Sequence, residues 1–465
     1  MKLISSGEFD AYWKALPPPS LDEEANRIAG EIISAVRNEG DAALRRYASR
    51  FDKSSPSHLE VPFALAEEAR TALEKDDRAL LDALTLAAGN IRYFALKQKA
   101  QFREFEYECA PGILAGQKVI PVEKAAVYVP AGRFPLISSA LMGLVPALSA
   151  GTGEVILASP PLEDGLPDRR ILAAAAIAAS VCRTMHDGTT PNAASACDTA
   201  STTPADPTNS TAPTPRIFAM GGAQAIAALA LGTESVPRVD LIVGPGNKYI
   251  AAAKRLLAGE VGIDFIAGPT DVLVIADTSE ATDAALIAAD LLAQAEHDAD
   301  ARARLLVPDQ VLAAKVMAEL ERQLAALDDA ATARQSLDSG GLIVVYNTTE
   351  EALRIANTIA PEHLELQLKD TARWIPHLRN FGSLFIGKEA AEVLGDYSAG
   401  INHTLPTSGS ARYSGGLSVR HFLKTPTTLR AAAGSEPVRN AAEIIARAEG
   451  LKAHAASARM RAAEK

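Results

Sequence analysis

The feature that most restricts this chain is an alternation. Short apolar runs at residues 125–129, 155–158, 216–219, 241–243, 272–275, 305–307 and 342–345 are separated by helical stretches, including 170–180, 223–231, 249–258 and 281–296. Strands apolar on both faces need helices above and below them, which is the pattern of parallel sheets built from βαβ units. The runs outnumber the strands of one ordinary sheet, so the text predicts two α/β domains. Upstream, Pro17-Pro18-Pro19 forms a stiff extended lead-in, and Ser20-Leu21-Asp22-Glu23 reads as a capping box. The helix it opens carries Ile28, Ile32, Ile33 and Val36 on one face, and helical pattern continues to about residue 98. Beyond residue 395 the text turns into Gly-, Ser-, Thr- and Asn-rich loops, closed by a helix expected over 437–463. Residues 182–215, dominated by Thr, Ala, Pro, Ser, Asn and Asp, break the rhythm and read as a disordered insertion.

Composition narrows the classes. A hydrophobic fraction of 48% supplies a large core, and a net charge of −11 leaves no basic excess for nucleic acid. Cys109, Cys182 and Cys197 show no CxxC spacing, which fits a reducing compartment and excludes a cysteine zinc site. With no signal-peptide core and no apolar run long enough to span a bilayer, the expectation is a soluble cytoplasmic protein.

Several polar clusters carry possible chemistry. In Ile359-Ala360-Pro361-Glu362-His363-Leu364-Glu365-Leu366, the proline ends a helical pattern and a Glu-His pair opens a strand. Such a pair suits proton transfer, and it equally fits a solvent-facing strand start. Gln294 and His297 stand i and i+3 at a helix end, where an amide oxygen and an imidazole can share a metal or simply suit the helix dipole. Asp396 sits in Gly395-Asp396-Tyr397-Ser398-Ala399-Gly400, either a turn aspartate or a ligand contact. Glu449 and His454 lie in the last helix, a usual surface position. No G-x-G-x-x-G or Walker sequence is present, so the dinucleotide fingerprint is incomplete. Met220-Gly221-Gly222-Ala223-Gln224 and Gly244-Pro245-Gly246-Asn247 follow strands and open helices. They serve as tight βα turns or as places for a dinucleotide to meet backbone N–H groups.

Taken together, these stretches resemble the histidinol dehydrogenase family. The resemblance runs from about residue 25 to the end, through Tyr128-Val129-Pro130, 221–229, 244–247, 294–298, 360–365, 395–397, 402–409 and 449–451. It implies two Rossmann-like parallel-sheet domains with small N-terminal and C-terminal helical or loop segments. The expected division is an extension over 1–25, one domain from 26–126 and 272–395, a second over 127–271, and a segment 396–465 that completes the partner's active site. The resemblance further implies a homodimer and two NAD-dependent oxidations of L-histidinol, through an aldehyde, to L-histidine, the last steps of histidine biosynthesis. It implies one zinc ion per subunit on Gln294, His297, Asp396 and His454. Glu362 and His363 match the acid/base pair. Thr270 and Glu449 match substrate contacts, alongside Gln294, His297, His363, Asp396 and His454. Tyr128, Gln224 and Asn247 match cofactor contacts.

This chain departs from the family's usual pattern at Ala131, Arg133-Phe134, Thr270-Asp271 (for Ser-Glu) and Gly415-Gly416. These positions lie in cofactor and substrate loops. They leave open a related zinc- and NAD-dependent dehydrogenase of another small polar alcohol, such as a sulfonated one. The insertion leaves open a catalytically inactive binding relative.

Overall fold

The computed structural model of the chain describes residues 1–16, 22–131, 135–184, 213–266 and 268–461. Most of the expected insertion lies outside these residues, with His186 and Cys197, as do Pro17-Pro18-Pro19 and Arg133-Phe134. Cys182 is described: it is buried in the helix Arg169–Thr184. Asp22 caps the first long helix, accepting the Ala25 amide at 2.8 Å, and Ser20 of the expected capping box lies outside the described residues.

Two six-stranded sheets carry the molecule, as the alternation predicts. In the first, Asp271–Ala276 is central. Arg302–Val307 and Leu342–Val345 lie to one side, and His363–Gln367 and Ser383–Ile386 to the other, all parallel. In the second, Lys124–Tyr128 is central. Glu154–Ser159 and Arg216–Ala219 lie to one side, and Leu241–Val243 and Gly262–Ile263 to the other. Both sheets therefore wind outward from their central strand in the same doubly-wound order, each with a switch point beside that strand, and Glu60–Val61 pairs antiparallel with Arg216–Ala219 as the sixth strand of the second sheet. Strand residues alternate between two cores. Val127, Leu157 and Ile217 join one cluster, while Ala126, Ile156 and Phe218 join another on the opposite face.

Sheet pairing regroups the chain relative to the expected division. Lys2–Ser5 is an edge strand of the first sheet, paired parallel with Leu342–Val345, rather than a free extension. The helices Glu23–Glu39 and Arg78–Lys99 pack on the second sheet, not the first. Ile32, Ile33 and Val36 bury against Phe218 and Ile226, and Leu84, Ala88 and Ile91 against Val127 and Leu144. The apolar faces of these helices decide the grouping. The expected last helix breaks at Gly450, whose φ of 79° is left-handed, into Glu436–Ala448 and Lys452–Met460. That hairpin and a small antiparallel sheet (Phe105–Ala110, Ile113–Gln117, Thr427–Ala431) leave Tyr107, Leu429, Ile444, Ile445 and Met460 exposed.

The turn after Leu241–Val243 is fixed by a buried ion pair. Lys254 pairs with Asp264 and donates to the Gly244 carbonyl at 2.9 Å, while Asp264 accepts the Gly244 amide at 2.8 Å and the Phe265 amide at 2.7 Å. Gly244 has φ 114° and lies against the Tyr128 carbonyl, where no Cβ fits. Lys254→Met leaves the Asp264 carboxylate buried and unpaired, so urea unfolding should show a loss of about 3–5 kcal/mol. An unchanged unfolding curve contradicts this.

Candidate active site

The strand His363–Gln367 is buried along its whole length, yet every second residue is polar. Leu364 and Leu366 join the core on one face. The pleat turns His363, Glu365 and Gln367 to the other face, toward the helix Ala284–Ala295. Gln367 accepts the Asp283 amide at 3.2 Å, and Glu365 meets the Asp290 side chain. The Glu-His pair therefore does not face solvent: Glu362 is 5% exposed and His363 3%. The preceding helix, Thr349–Ile359, is closed by Ala360 in the left-handed region (φ 53°), and Pro361 prevents its continuation.

Glu362 is locked to the neighbouring strand. Its Oε2 accepts the Thr270 hydroxyl at 2.6 Å and the Asp271 amide at 3.1 Å, and its own N–H donates to Asp271 Oδ1 at 2.9 Å. Asp271 Oδ2 in turn accepts from the buried Arg304 at 2.5 Å. Burial pushes the Glu362 carboxyl up to about 7, against the lowering pull of His363 and Thr270.

His363 Nδ1 lies 3.2 Å from the Asp271 carbonyl, which accepts its proton, so Nε2 is the nitrogen that gains or loses the second proton. Nε2 is buried with no hydrogen-bond partner, 3.5 Å from Asp396 Oδ1. Burial lowers the proton affinity of this imidazole, but Glu392, Glu362 and Asp396 outweigh it and hold its pKa well above the ordinary value.

Beside this pair lies a set of metal-type donors. The ligand atoms of His297, Glu392 and Asp396 lie within 4.8 Å of one another. Gln294, fully buried, donates from Nε2 to Thr270 Oγ1 at 2.7 Å, which turns its amide oxygen to 2.7 Å from Glu392 Oε1. Turned over, the amide instead donates to Glu392 Oε1 at 2.7 Å and accepts the Thr270 hydroxyl at 2.7 Å, which satisfies both ends without a cation; the orientation with its oxygen toward Glu392 is the one that offers that oxygen to a metal. Two oxygens this close need a proton or a cation between them. Burial and neighbouring carboxylates raise Glu392 to about 8, opposed by His363, so it carries that proton at neutral pH. Oxygen and imidazole donors converging in this way fit a zinc ion. His297 lies just beyond the helix end at Ala295, its amide on the Gln294 carbonyl. Asp396 is in the short helix Glu392–Tyr397, not in a turn.

Topology explains the convergence. Thr270 and Glu362 precede their strands and His363 opens its own. The helix Ala284–Ala295 runs back antiparallel, so its end returns to the same edge. His403 joins this edge to the second sheet: Nδ1 meets the Asp396 carbonyl at 2.8 Å and Nε2 the Ser139 hydroxyl at 3.1 Å. The structure thus brings Thr270, Gln294, His297, Glu362, His363 and Asp396 together. It places Glu449 and His454 elsewhere, exposed around the C-terminal hairpin.

The chain matches the family described as histidinol dehydrogenase over residues 18–207 and 207–462. It is 44% identical over 444 residues to a histidinol dehydrogenase of Thermus thermophilus, covering 95% of this chain and 96% of the relative. It is 42% identical to one of Aquifex aeolicus, covering 95% and 93%. A crystal structure of histidinol dehydrogenase from Elizabethkingia anophelis superposes with a TM-score of 0.83 at 32% identity, covering 99% and 97%. The chain belongs to the histidinol dehydrogenase family.

The residues expected from the resemblance to contact the cofactor lie at the second sheet's carboxyl edge. Tyr128 ends the central strand, with its hydroxyl accepting the Gly222 amide at 3.2 Å. Gln224 opens the helix Gly222–Leu231. Its Oε1 is buried without a partner, an acceptor that fits a polar ligand. Asn247 caps the helix Lys248–Leu257, accepting the Tyr249 and Ile250 amides at 3.0 and 3.2 Å. Sequence reading missed Glu392, His403 and Ser139 as parts of the site. The i, i+4 spacing of Glu392 and Asp396 was the available signal. Thr270→Ser keeps the hydroxyl that bridges Gln294 and Glu362, whereas Thr270→Val removes it. Steady-state assays of a family reaction should show the valine variant losing about 10- to 100-fold in kcat/KM, the worth of a hydrogen bond to a charged group, with serine near the parent. Equal activities of the two variants contradict the bridge.

Proposed function

We propose that this protein is a zinc-dependent histidinol dehydrogenase that oxidises L-histidinol through L-histidinaldehyde to L-histidine in two NAD-dependent steps. One observation carries the reading: a buried Glu-His pair, each member hydrogen-bonded to the neighbouring strand, abuts the donor set His297, Glu392 and Asp396, with Gln294 beside Glu392, within a family of that name. When bound, zinc supplies positive charge that grips the amino alcohol, and NAD accepts the hydride. Gln294, His297 and Asp396 hold the metal, and the partner subunit's His454 completes it. In its neutral form His363 takes the hydroxyl proton on Nε2, with Nδ1 anchored on the Asp271 carbonyl; a cation held by Asp396 would offset the carboxylate charge that otherwise keeps the ring protonated. In the second oxidation Glu362 takes a proton from the water that adds to the aldehyde.

The dimer rests on exposure. Glu449 and His454 stand outside their own chain's donor cluster, on a hairpin that also shows Ile444, Ile445 and Met460 to solvent. An apolar face of this kind fits burial against a second copy. The Thr270-Asp271 departure does not point to another substrate. The Thr270 hydroxyl and the Asp271 carboxylate both act on Glu362, and Asp271 also binds Arg304.

Three outcomes follow. With zinc supplied, two NADH should form per histidinol consumed; a ratio of one contradicts the two-step reading. Glu362 must be ionised to take a proton and titrates at about 7, so oxidation of L-histidinaldehyde should rise with pH through that region. Glu362→Gln should abolish this limb, and a limb that survives assigns it to another group. Mixing inactive His454→Asn and inactive His363→Asn subunits should restore activity through hybrid sites. No recovery despite proven subunit exchange contradicts the shared site.

A further inference from the structure

The second sheet carries an acidic side chain that the proposed chemistry does not use. Asp52 follows the helix Asp41–Phe51, on an extended backbone with ψ 162°. It reaches the turn holding two of the cofactor-matched residues. Gln224 Nε2 donates to Asp52 Oδ2 at 3.4 Å, and a Cβ on Gly221 would lie 2.7 Å from Asp52 Oδ1. Beside it are the Tyr128 hydroxyl on the Gly222 amide and the partnerless, fully buried Gln224 Oε1. This is a polar cluster: a half-buried carboxylate, an orphaned amide oxygen and a phenol at the carboxyl edge of a doubly-wound sheet.

Its position along the sheet says which part of a dinucleotide it meets. In strand order, Asn247 follows Leu241–Val243, Tyr128 ends the central strand, and Gln224 follows Arg216–Ala219. Asn247 and Gln224 are thus three strand spacings apart, about 14 Å. The catalytic residues adjoin the Asn247 end, because the segment after Gly262–Ile263 leads directly to Thr270. Asp52 is at the opposite end. A nicotinamide that reaches His363 leaves the adenosine half of the molecule beside Asp52.

We propose that Asp52 reads the adenosine ribose. Its carboxylate accepts the 2′-hydroxyl of NAD and repels the 2′-phosphate of NADP. It takes the place of the acid that a complete dinucleotide fingerprint carries on its own βαβ unit. This rests on the dehydrogenase reading above. Discrimination has two parts, a charge-assisted hydrogen bond gained by the correct cofactor and a repulsion met by the wrong one. Burial raises the Asp52 carboxyl to about 6, so the charge is present at neutral and alkaline pH.

The test is direct binding, which does not depend on turnover. NADH and NADPH affinities are measured by fluorescence titration for the parent, Asp52→Asn and Asp52→Ser, with thermal melting to confirm folding. The asparagine variant keeps an oxygen for the Gly221 turn and lacks the charge. The parent should prefer NADH, and in both variants the NADPH-to-NADH affinity ratio should rise by about tenfold or more. If both cofactors weaken equally, Asp52 only braces the glycine turn and the proposal is overturned. If the parent binds neither dinucleotide, the dehydrogenase reading fails and this proposal with it. A parent that binds NADH but shows an unmoved ratio in both variants overturns the proposal alone.

Discussion

The site depends on a reciprocal pair of hydrogen bonds between two adjacent strands. The Glu362 amide donates to the Asp271 carboxylate, and the Asp271 amide donates to the Glu362 carboxylate. Each acid is thus held by the other's backbone, in the register that sets His363 opposite Val272. Arg304 anchors the pair from the next strand and stacks over Trp13 of the N-terminal helix Ser6–Ala15. Charges this deeply buried are tolerable only when they are paired and hydrogen-bonded. The same desolvation lifts Glu362 toward neutrality, where a carboxylate can exchange protons during turnover.

Two sheets of identical winding present opposite edges to each other. The acid/base and metal-type residues gather at the strand starts of one, and the cofactor-matched residues at the strand ends of the other. His403 spans the seam from Asp396 to Ser139, and Asp264 ties the Gly244 turn to the segment leading to Thr270. Proton chemistry and hydride acceptance can then be built on separate rigid sheets and meet at one place.

Much of this was legible in the text. Apolar runs at regular spacing gave the parallel strands, because burial on both faces leaves a simple imprint. Motifs read one at a time stayed ambiguous, and the resemblance gathered them into one site. What sequence could not give was long-range. Nothing in Lys2–Ser5 announces that it pairs with Leu342–Val345, and the apolar face of Glu23–Glu39 does not say which sheet it covers. The 360–366 segment read as a possible solvent-facing pair because alternation normally marks a half-exposed strand. Here both faces are buried, and the polar one is matched by Asp283 and Asp290 at the facing helix. Glu392 escaped notice because its partners arrive from three other segments.

The central claim is that His363 moves protons and does not hold the metal. The most direct measurement is the zinc content of purified His363→Asn beside that of Asp396→Asn. The geometry predicts full zinc occupancy and lost turnover for the first, and lost zinc for the second. Loss of zinc from His363→Asn would make His363 a ligand and contradict the account.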